Sequence, residues 1–587
     1  MPLNPLLAID FYKTDHRSQY QKGTNLIYSN FTPRSFSRYK GKSTNLVWVG
    51  LQVFIKDYLI REWNEGFFSR PKSKVVAEYK LFMDSTLGQG AINVDHIAAL
   101  HDLQYLPLLI KALPEGSLVP AKIPVLTIVN THPDFFWLVN YIETVMSAEL
   151  WKISTNATIA YEYYQTFAKY TDLTGAPKEF IQFQGHDFSA RGLSNREDQY
   201  KTQIAHLTSF TGTDTCLAIQ GAVDFYNADY TKELVGTSVP ATEHSVMCSN
   251  IEYIKAALDS EGKWYSGTRL YYLEEVQFDE THTNTQRLAE LIYIKYLITE
   301  LYPTGIISIV ADSFDFWYLM TYGIKVLKED IESRQPNALG LCKVVFRPDS
   351  GNPVDIICGL PIYDAGDISS KSIKLTNDSK VYYENTLAAD LAIDENDKVY
   401  RVKDANFEHS LNYRGNYLIE VQHSEVIGAI QCLHDTFGGT TNYKGFIELN
   451  PKVGLIYGDS ITLERQDIIL SRLMSKGFAS SNIVLGIGSY TYQMNTRDTF
   501  GFAMKATYSE VNNIGINICK DPATDDGTKK SAKGLLRVDS INGRFILHDQ
   551  VTKEQETGGE LQTVFKNGVL RVDTSLEEIR SKLKGNL

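Results

Sequence analysis

Six cysteines in 587 residues, none of them in a C-x-x-C pair, leave this sequence without a disulfide framework or a zinc knuckle. No apolar run comes near the ~20 residues that cross a bilayer. The opening MPLNPLLAIDFYKTDH has neither a basic start nor a sustained apolar stretch, so no secretory signal is expected. Positive charge is also in deficit: 58 Lys and Arg against 70 Asp and Glu give a net charge of −12. Such a chain is a poor general binder of nucleic acid, although a local basic pocket is compatible with it. What is there is ample for a core: 43% hydrophobic and 22% charged residues exclude disordered and fibrous classes. At roughly 100–200 residues per domain, about three domains or two large ones are expected. Unpaired cysteines and missing signals together point to a large soluble protein of the cytoplasm, and its size and composition suit an enzyme.

The first ~150 residues mix helix and strand signals. VWVGLQVFIKDYLIREW reads as a helix, and SLVPAKIPVLTIVNT as strands interrupted by prolines. From about residue 180 a repeated grammar sets in. QRLAELIYIKYLITELY has apolar residues at helical spacing, Pro303 and Gly305 break it, and the buried-strand run IISIV delivers ADSFD. In the same way IQFQ precedes GHDFSARG, CKVVF precedes RPDSG, VGLIY precedes GDS, and NIVLG precedes IGSY. Ligands of parallel α/β folds bind at the carboxyl ends of the strands, and several loaded ends favour a barrel over an open sheet with one switch point. Residues 355–425 interrupt this rhythm with polar stretches around the turn-like DEND and read as an insertion carrying a hairpin or two. Asn542-Gly543 and Asn567-Gly568 lie between alternating apolar runs and predict hairpins. Ser575 and Glu578 form a capping box that opens a last helix, SLEEIRSKL.

Chemistry-bearing residues gather after these strands. Asp312 and Asp315 suit a divalent metal or a sugar hydroxyl, and equally a helix N-cap. Arg347 beside Asp349 can fork onto a phosphate, or simply pair with the Asp to fix a turn. The glycine-containing loops at Gly458-Asp459-Ser460 and Gly486–Ser489 offer backbone N–H groups to phosphate oxygens, though neither matches a Walker or dinucleotide fingerprint. His186-Asp187-Phe188 and Glu243-His244 are His-plus-acid clusters without zinc spacing. Phe188 offers a stacking face to an aromatic ligand. Lys520, Lys529, Lys530 and Lys533 form a basic stretch, either a phosphate contact or a solvated loop.

Taken in order, LLAIDFYKTDH, FQGHDFSARG, TGTDT, SVPATEHS, ADSFD, FRPDSGNP, YGDS, NTRD, ICKDP and QTVFKNG resemble the nicotinate/nicotinamide phosphoribosyltransferase family, and within it the nicotinamide-using enzymes. The resemblance implies an α/β fold: an irregular (β/α) barrel of the type II phosphoribosyltransferase kind, beside a mixed α+β sheet domain built from both chain ends. The expected division is 1–180 for the N-terminal sheet domain, 181–500 for the barrel with insertions near 250–290 and 355–425, and 501–587 to complete the sheet. It implies a homodimer with shared active sites. The implied reaction makes nicotinamide mononucleotide and pyrophosphate from nicotinamide and phosphoribosyl pyrophosphate, in NAD salvage, with Mg²⁺ and with ATP as a coupled substrate.

Carried over motif by motif, Phe188 and a partner subunit's Tyr12 sandwich the pyridine ring, each stack worth about 0.5–1.5 kcal/mol beyond burial. Asp214 accepts a hydrogen bond from the carboxamide. Nicotinic acid would face it with a like charge, at a cost of about 4 kcal/mol for ~4 Å and an effective dielectric of 20. Arg191 and Arg347 grip the 5′-phosphate or neighbouring product oxygens, helped by backbone N–H groups near Gly458 and Gly488. Asp312 and Asp349 serve the ribose and Mg²⁺, and Asp459 a ribose hydroxyl. Arg34, Arg497, Lys505 and Lys520, from the partner subunit, take pyrophosphate. His244 matches the histidine phosphorylated when ATP is coupled, with Glu243 placed to orient its ring.

Three features depart from the family pattern: Ser489-Tyr490 replace glycine in the phosphate loop, Ala503 replaces a serine that contacts phosphate, and the two insertions are extra. The nearest rival is a nicotinate phosphoribosyltransferase, against which Asp214 argues. A non-catalytic nucleotide-binding protein would be expected to lose strand-end charges that this chain keeps. A glycoside hydrolase would use Asp312 and Asp349 but not the surrounding Arg and Lys.

Overall fold

Proline and glycine set the clearest boundary in the chain. In a computed structural model of the protein, the helix Thr285–Tyr296 starts at Asn284, whose side chain accepts the amides of Gln286 and Arg287. It continues through the wider turn Leu297–Leu301 and stops before Pro303, and the strand Gly305–Val310 follows. The structure describes residues 3–360, 372–374, 391–393, 398–402, 418–458, 460–520 and 532–586. Among them, no helix is long and apolar enough to cross a membrane.

Two compact units share the chain. The first comprises Met1–Gln165, Asp187–Thr237 and Ser489–Leu587, and the second Thr166–His186 and Ser238–Gly488.

A five-stranded sheet runs in the order Gly185–Asp187, Ile483–Ile487, Val453–Tyr457, Cys342–Arg347, Gly305–Val310, and its last four strands lie in the second unit. The pairings among the last four strands are parallel, with Val344 opposite both Ile307 and Val453. Parallel neighbours need crossovers, and helices such as Leu463–Ser475 supply them. That helix buries Gln466, Ile469, Leu470 and Leu473, one stripe at helical spacing. Strands covered on both faces read as near-continuous apolar runs: every residue of Val453–Tyr457 is buried, as are five of the six in Gly305–Val310 and four of the five in Ile483–Ile487. All four strands therefore end on one side, and the loops after Val310, Arg347, Tyr457 and Ile487 emerge there together. A single parallel bridge, Ala241 to Ser308, adds the SVPATEHS segment beside the Gly305–Val310 strand. The strand-end pattern predicts a barrel, and the described strands form a parallel half-barrel.

The first unit is organised on an antiparallel seven-stranded sheet: Ile514–Asn517, Ala503–Val511, Thr24–Thr32, Leu126–Asn130, Leu108–Ala112, Gln562–Lys566, Val569–Leu570. Its strands come from both ends of the chain, as expected. Phe31 and Phe502 stack across the central pair with ring centroids 5.1 Å apart. The two Asn-Gly turns form as anticipated, with positive φ at both residues of each: 52° and 74° at Asn542-Gly543, 51° and 80° at Asn567-Gly568. The Ser575–Glu578 capping box opens the helix Leu576–Lys584.

Two local expectations are corrected. IQFQ is one turn of helix, Ile181–Gln184, and the strand is the following Gly185–Asp187. Four residues are too few for alternation to separate strand from helix, and the fully buried Gln184 at the end of the turn donates its side-chain amide to the carbonyls of Ser480 (2.7 Å) and Ile483 (3.3 Å). VWV is likewise not helical. Asn45–Trp48 is a strand, and the helix Leu51–Phe54 starts only after Gly50 turns the chain at φ +108°. A Cβ there would sit 1.9 Å from Cγ2 of Ile153, so both the conformation and the space call for glycine.

In the insertion near 250–290, the helix His244–Glu261 is followed by the hairpin Lys263–Tyr265/Leu270–Tyr272. Within 355–425, the described strands Leu391–Ile393 and Val399–Val402 pair antiparallel, while DEND between them lies outside the described residues.

Candidate active site

In the second unit, Asp312 ties the strand-end loops together. Its Oδ2 accepts the backbone N–H groups of Asp349 (2.9 Å) and Ser350 (2.8 Å), and its Oδ1 lies 3.2 Å from Nε2 of His244. Burial alone would raise its pKa, but the hydrogen bonds from Ser350 and Asp349 and the neighbouring His244 outweigh it and hold the carboxyl below its ordinary value. Asp315 has the other fate weighed for these acids: it caps the amide of Tyr318 at 2.9 Å and pairs with Arg287.

The SVPATEHS segment is stitched to the same strand end. The Thr242 N–H donates to the Ser308 carbonyl (3.0 Å), its hydroxyl accepts the Val310 amide (2.9 Å), and its carbonyl accepts Nη2 of Arg347 (2.9 Å). His244 thus starts its helix 47% exposed, with Asp312 as the acid at its ring. Glu243, the expected orienting residue, instead accepts the hydroxyl of Ser245.

Gly458 packs directly against the Asp349 carboxylate: a Cβ there would lie 2.1 Å from its Oδ1, so one of the two would have to shift. Tyr457 buttresses the same loop, its hydroxyl donating to the carbonyls of Ser350 (2.9 Å) and Gly351 (3.0 Å). An added Cβ on Gly488 would meet nothing within 4 Å, and Asp459 lies outside the described residues. Behind this cluster sits Glu290, 1% exposed, whose pKa rises to about 8 through burial and then the charges of Asp315 and Asp312. Nothing in LAELI distinguishes it from a surface helix glutamate.

In the first unit, buried Asp187 arranges the two loops that carry Phe188 and Asp214. Its Oδ2 accepts the hydroxyls of Thr215 (2.7 Å) and Thr213 (3.1 Å), its Oδ1 accepts the Ser189 amide (3.0 Å), and its carbonyl accepts the Asp214 amide (2.9 Å). Phe188 is half-buried and Arg191 exposed. Asp214 is exposed within a run in which residues 211–213 and 215 are all buried, so its carboxylate projects from a fixed backbone. Ser489 packs close to Gly192, where a Cβ would lie 2.0 Å from its hydroxyl; the glycine accommodates the serine that departs from the family pattern.

Of the cations expected for pyrophosphate, Arg34 donates from Nε to the carbonyl of Gly501 at 2.8 Å, and Arg497 lies 3.9 Å from Asp498. Lys505, opposite Asn30 in the sheet, has a depressed pKa. Burial is the main cause, with Arg34, Lys520 and Arg497 adding to it and Glu143 opposing. Arg34, Arg497 and Lys520 therefore each lie within electrostatic reach of Lys505. Glu143, the acid that opposes the shift of Lys505, is ion-paired to the buried Lys13, and nothing in the sequence marks either residue. Tyr12 is 60% exposed, Lys520 is exposed, and Ala503 is buried opposite Thr32. Lys529 and Lys530 lie outside the described residues.

Among the described residues, no group of three or more His, Cys, Asp and Glu is placed to hold a metal ion by itself. Magnesium ordinarily takes only one or two carboxylates together with substrate phosphates, and Asp312 and Asp349 on adjoining strand ends meet that lesser demand.

The chain matches the family model of the Nicotinate phosphoribosyltransferase (NAPRTase) family over residues 183–569. It is 48% identical over 589 residues to a nicotinamide phosphoribosyltransferase of Acinetobacter baylyi, covering 100% of this chain and 98% of the relative. It is 30% identical to one of Mycoplasma pneumoniae, covering 92% and 96%. Among solved structures it is similar to human nicotinic acid phosphoribosyltransferase, with a TM-score of 0.48 at 12% identity, covering 98% of this chain and 92% of that one. With a match of this extent in sequence, and a parallel half-barrel in its second unit, the chain belongs to the nicotinate phosphoribosyltransferase family, of the type II phosphoribosyltransferase fold.

Proposed function

We infer that this chain is a nicotinamide phosphoribosyltransferase, joining nicotinamide to the ribose 5-phosphate of phosphoribosyl pyrophosphate in NAD salvage. The observation that carries this reading is the end-to-end similarity to the Acinetobacter relative of that name. The ring nitrogen of nicotinamide donates its lone pair to ribose C1 as the C1–O bond to pyrophosphate breaks. The lone pair becomes the N–C1 bond, pyrophosphate leaves with the electrons of the C1–O bond, and the ring becomes a pyridinium. No proton transfer is needed, so catalysis is alignment and charge stabilisation.

Phe188 stacks on the ring, with Tyr12 of a second copy on its other face, and Asp214 accepts the carboxamide N–H. Arg191 and Arg347 bind the 5′-phosphate with backbone N–H groups near Gly458 and Gly488. Asp312, Asp349 and Asp459 serve the ribose, and Arg34, Arg497, Lys505 and Lys520 the pyrophosphate. Asp349 and Asp312 would hold Mg²⁺, which when bound neutralises charge on the departing diphosphate. ATP is a coupled substrate through His244: the γ-phosphoryl group passes to its ring, ADP leaves, and water later releases phosphate. The working form is a homodimer, and scattered free cysteines suit the reducing cytoplasm.

The second reading, a nicotinate enzyme, meets Asp214. Its repulsion of a carboxylate ~4 Å away ranges from about 1 kcal/mol in water to about 4 kcal/mol in a closed site, roughly five-fold to a thousand-fold against the acid. The test is a product assay with phosphoribosyl pyrophosphate and Mg²⁺, offering amide or acid, with and without ATP. Preferential formation of nicotinamide mononucleotide, relaxed in Asp214→Ser, is expected, as is an ATP stimulation lost in His244→Ala. Preference for the acid would overturn the substrate and keep the family. No mononucleotide from either base would favour a binding protein.

A further inference from the structure

We propose that Arg580, on the helix Leu576–Lys584, is a positioning residue for recognition of the carboxamide at Asp214; the proposal rests on the nicotinamide reading above. Arg580 is only 6% exposed, and among the described residues no carboxylate lies within ion-pair distance of it. Its guanidinium is spent on backbone carbonyls: Nε donates to Leu207 (2.7 Å), Nη1 to Leu234 (3.1 Å), and Nη2 to Val235 (2.7 Å) and Phe210 (3.4 Å).

Those carbonyls belong to the two segments that frame Asp214. Leu207 ends the helical turn Ile204–Leu207, where a cation is also favoured by the helix dipole. Just beyond the clamp the segments join each other, Thr237 N–H to the Thr211 carbonyl at 2.7 Å and Thr213 N–H to the Thr237 carbonyl at 3.0 Å. On the far side, Asp187 takes the Asp214 amide and the hydroxyls of Thr213 and Thr215. The amide-reading carboxylate thus stands between two buried charged anchors. Arg580 is the one contributed from more than three hundred residues away in sequence.

A carboxylate that reads one hydrogen bond must be held within about 0.5 Å of its working position. A planar fork fits four carbonyls, whereas the three donors of a lysine radiate from a single point. Arg580→Lys therefore keeps the charge and loses the clamp.

The experiment compares wild type, Arg580→Lys and Arg580→Ala in steady-state kinetics, varying nicotinamide and phosphoribosyl pyrophosphate separately and offering nicotinate in parallel. Thermal melting of each protein is recorded alongside. Arg580→Lys is expected to raise KM for nicotinamide about ten-fold, leave KM for phosphoribosyl pyrophosphate within about two-fold, and reduce the amide-to-acid preference. An equal rise in both KM values, a fall in kcat alone, or a lowered melting temperature with unchanged kinetics would overturn the proposal and leave Arg580 a fold anchor. If Arg580→Ala does not fold, Arg580→Lys carries the test. A wild-type protein that makes no mononucleotide, or prefers the acid, would instead fail the functional reading on which the proposal rests.

Discussion

Replacing Glu290 by Gln should make the protein more stable, and increasingly so as pH rises. Glu290 is 1% exposed, and its Oε1 has no hydrogen-bond partner among the described residues. Burial, then Asp315 and Asp312, raise its pKa to about 8, with Arg287 opposing. The unfolded chain would ionise it near ~4.3, and at 1.36 kcal/mol per pH unit the gap amounts to about 5 kcal/mol. The sign follows from proton counting. Below about pH 4 both states hold the proton and nothing is lost; up to about pH 8 the folded state alone holds it, so stability falls; above that the loss is complete.

Gln has the same shape and never ionises, so Glu290→Gln escapes the loss. With an unfolding entropy of about 2.1 cal/mol/K per residue over the whole chain, 5 kcal/mol corresponds to roughly 4 °C in Tm. Melting curves of both proteins from pH 5 to pH 9 should diverge by about that much. A Tm difference that stays flat with pH, or shrinks as pH rises, would refute a buried neutral acid at this position.

Gly458→Ala should push the Asp349 carboxylate aside by about 1 Å, a displacement that in an aligned reaction costs on the order of 100-fold in kcat. Initial rates within three-fold of wild type would contradict that packing. The depressed pKa of Lys505 means that it gives up its charge as pH rises before an ordinary lysine would, so inhibition by added pyrophosphate should weaken on the alkaline side. Lys505→Arg, which stays charged, should flatten that decline; an unchanged pH profile would remove Lys505 from the pyrophosphate site.

Much of this was legible beforehand because most of the parallel strands are buried on both faces. Runs such as VGLIY and IISIV then stand out, and the polar residues after them mark the strand ends. The turns and the final capping box were readable for a local reason, since Asn-Gly and Ser-x-x-Glu act within four residues. Harder to see was which of two neighbouring acids would work: Asp315 caps and pairs, while Asp312 ties the loops, and A-D-S-F-D suits either. Hidden altogether were the buried charges. Glu290, Lys13 and Arg580 are of residue types that ordinarily face solvent, and only long-range packing turns them inward. The same limit hid the passage of residues 187–237 into the first unit.

That interleaving bears on how the protein is made. The chain passes between the two units four times, after residues 165, 186, 237 and 488. A ribosome that has reached residue 500 has supplied every strand of the parallel sheet but only three of the seven in the antiparallel one. Until Ala503–Val511 arrives, Thr24–Thr32 has an unsatisfied edge, the kind of surface on which nascent chains aggregate. Prematurely terminated chains should therefore accumulate as chaperone clients or precipitate rather than as partly active enzyme, and neither unit can be inherited or transplanted as one uninterrupted stretch of gene.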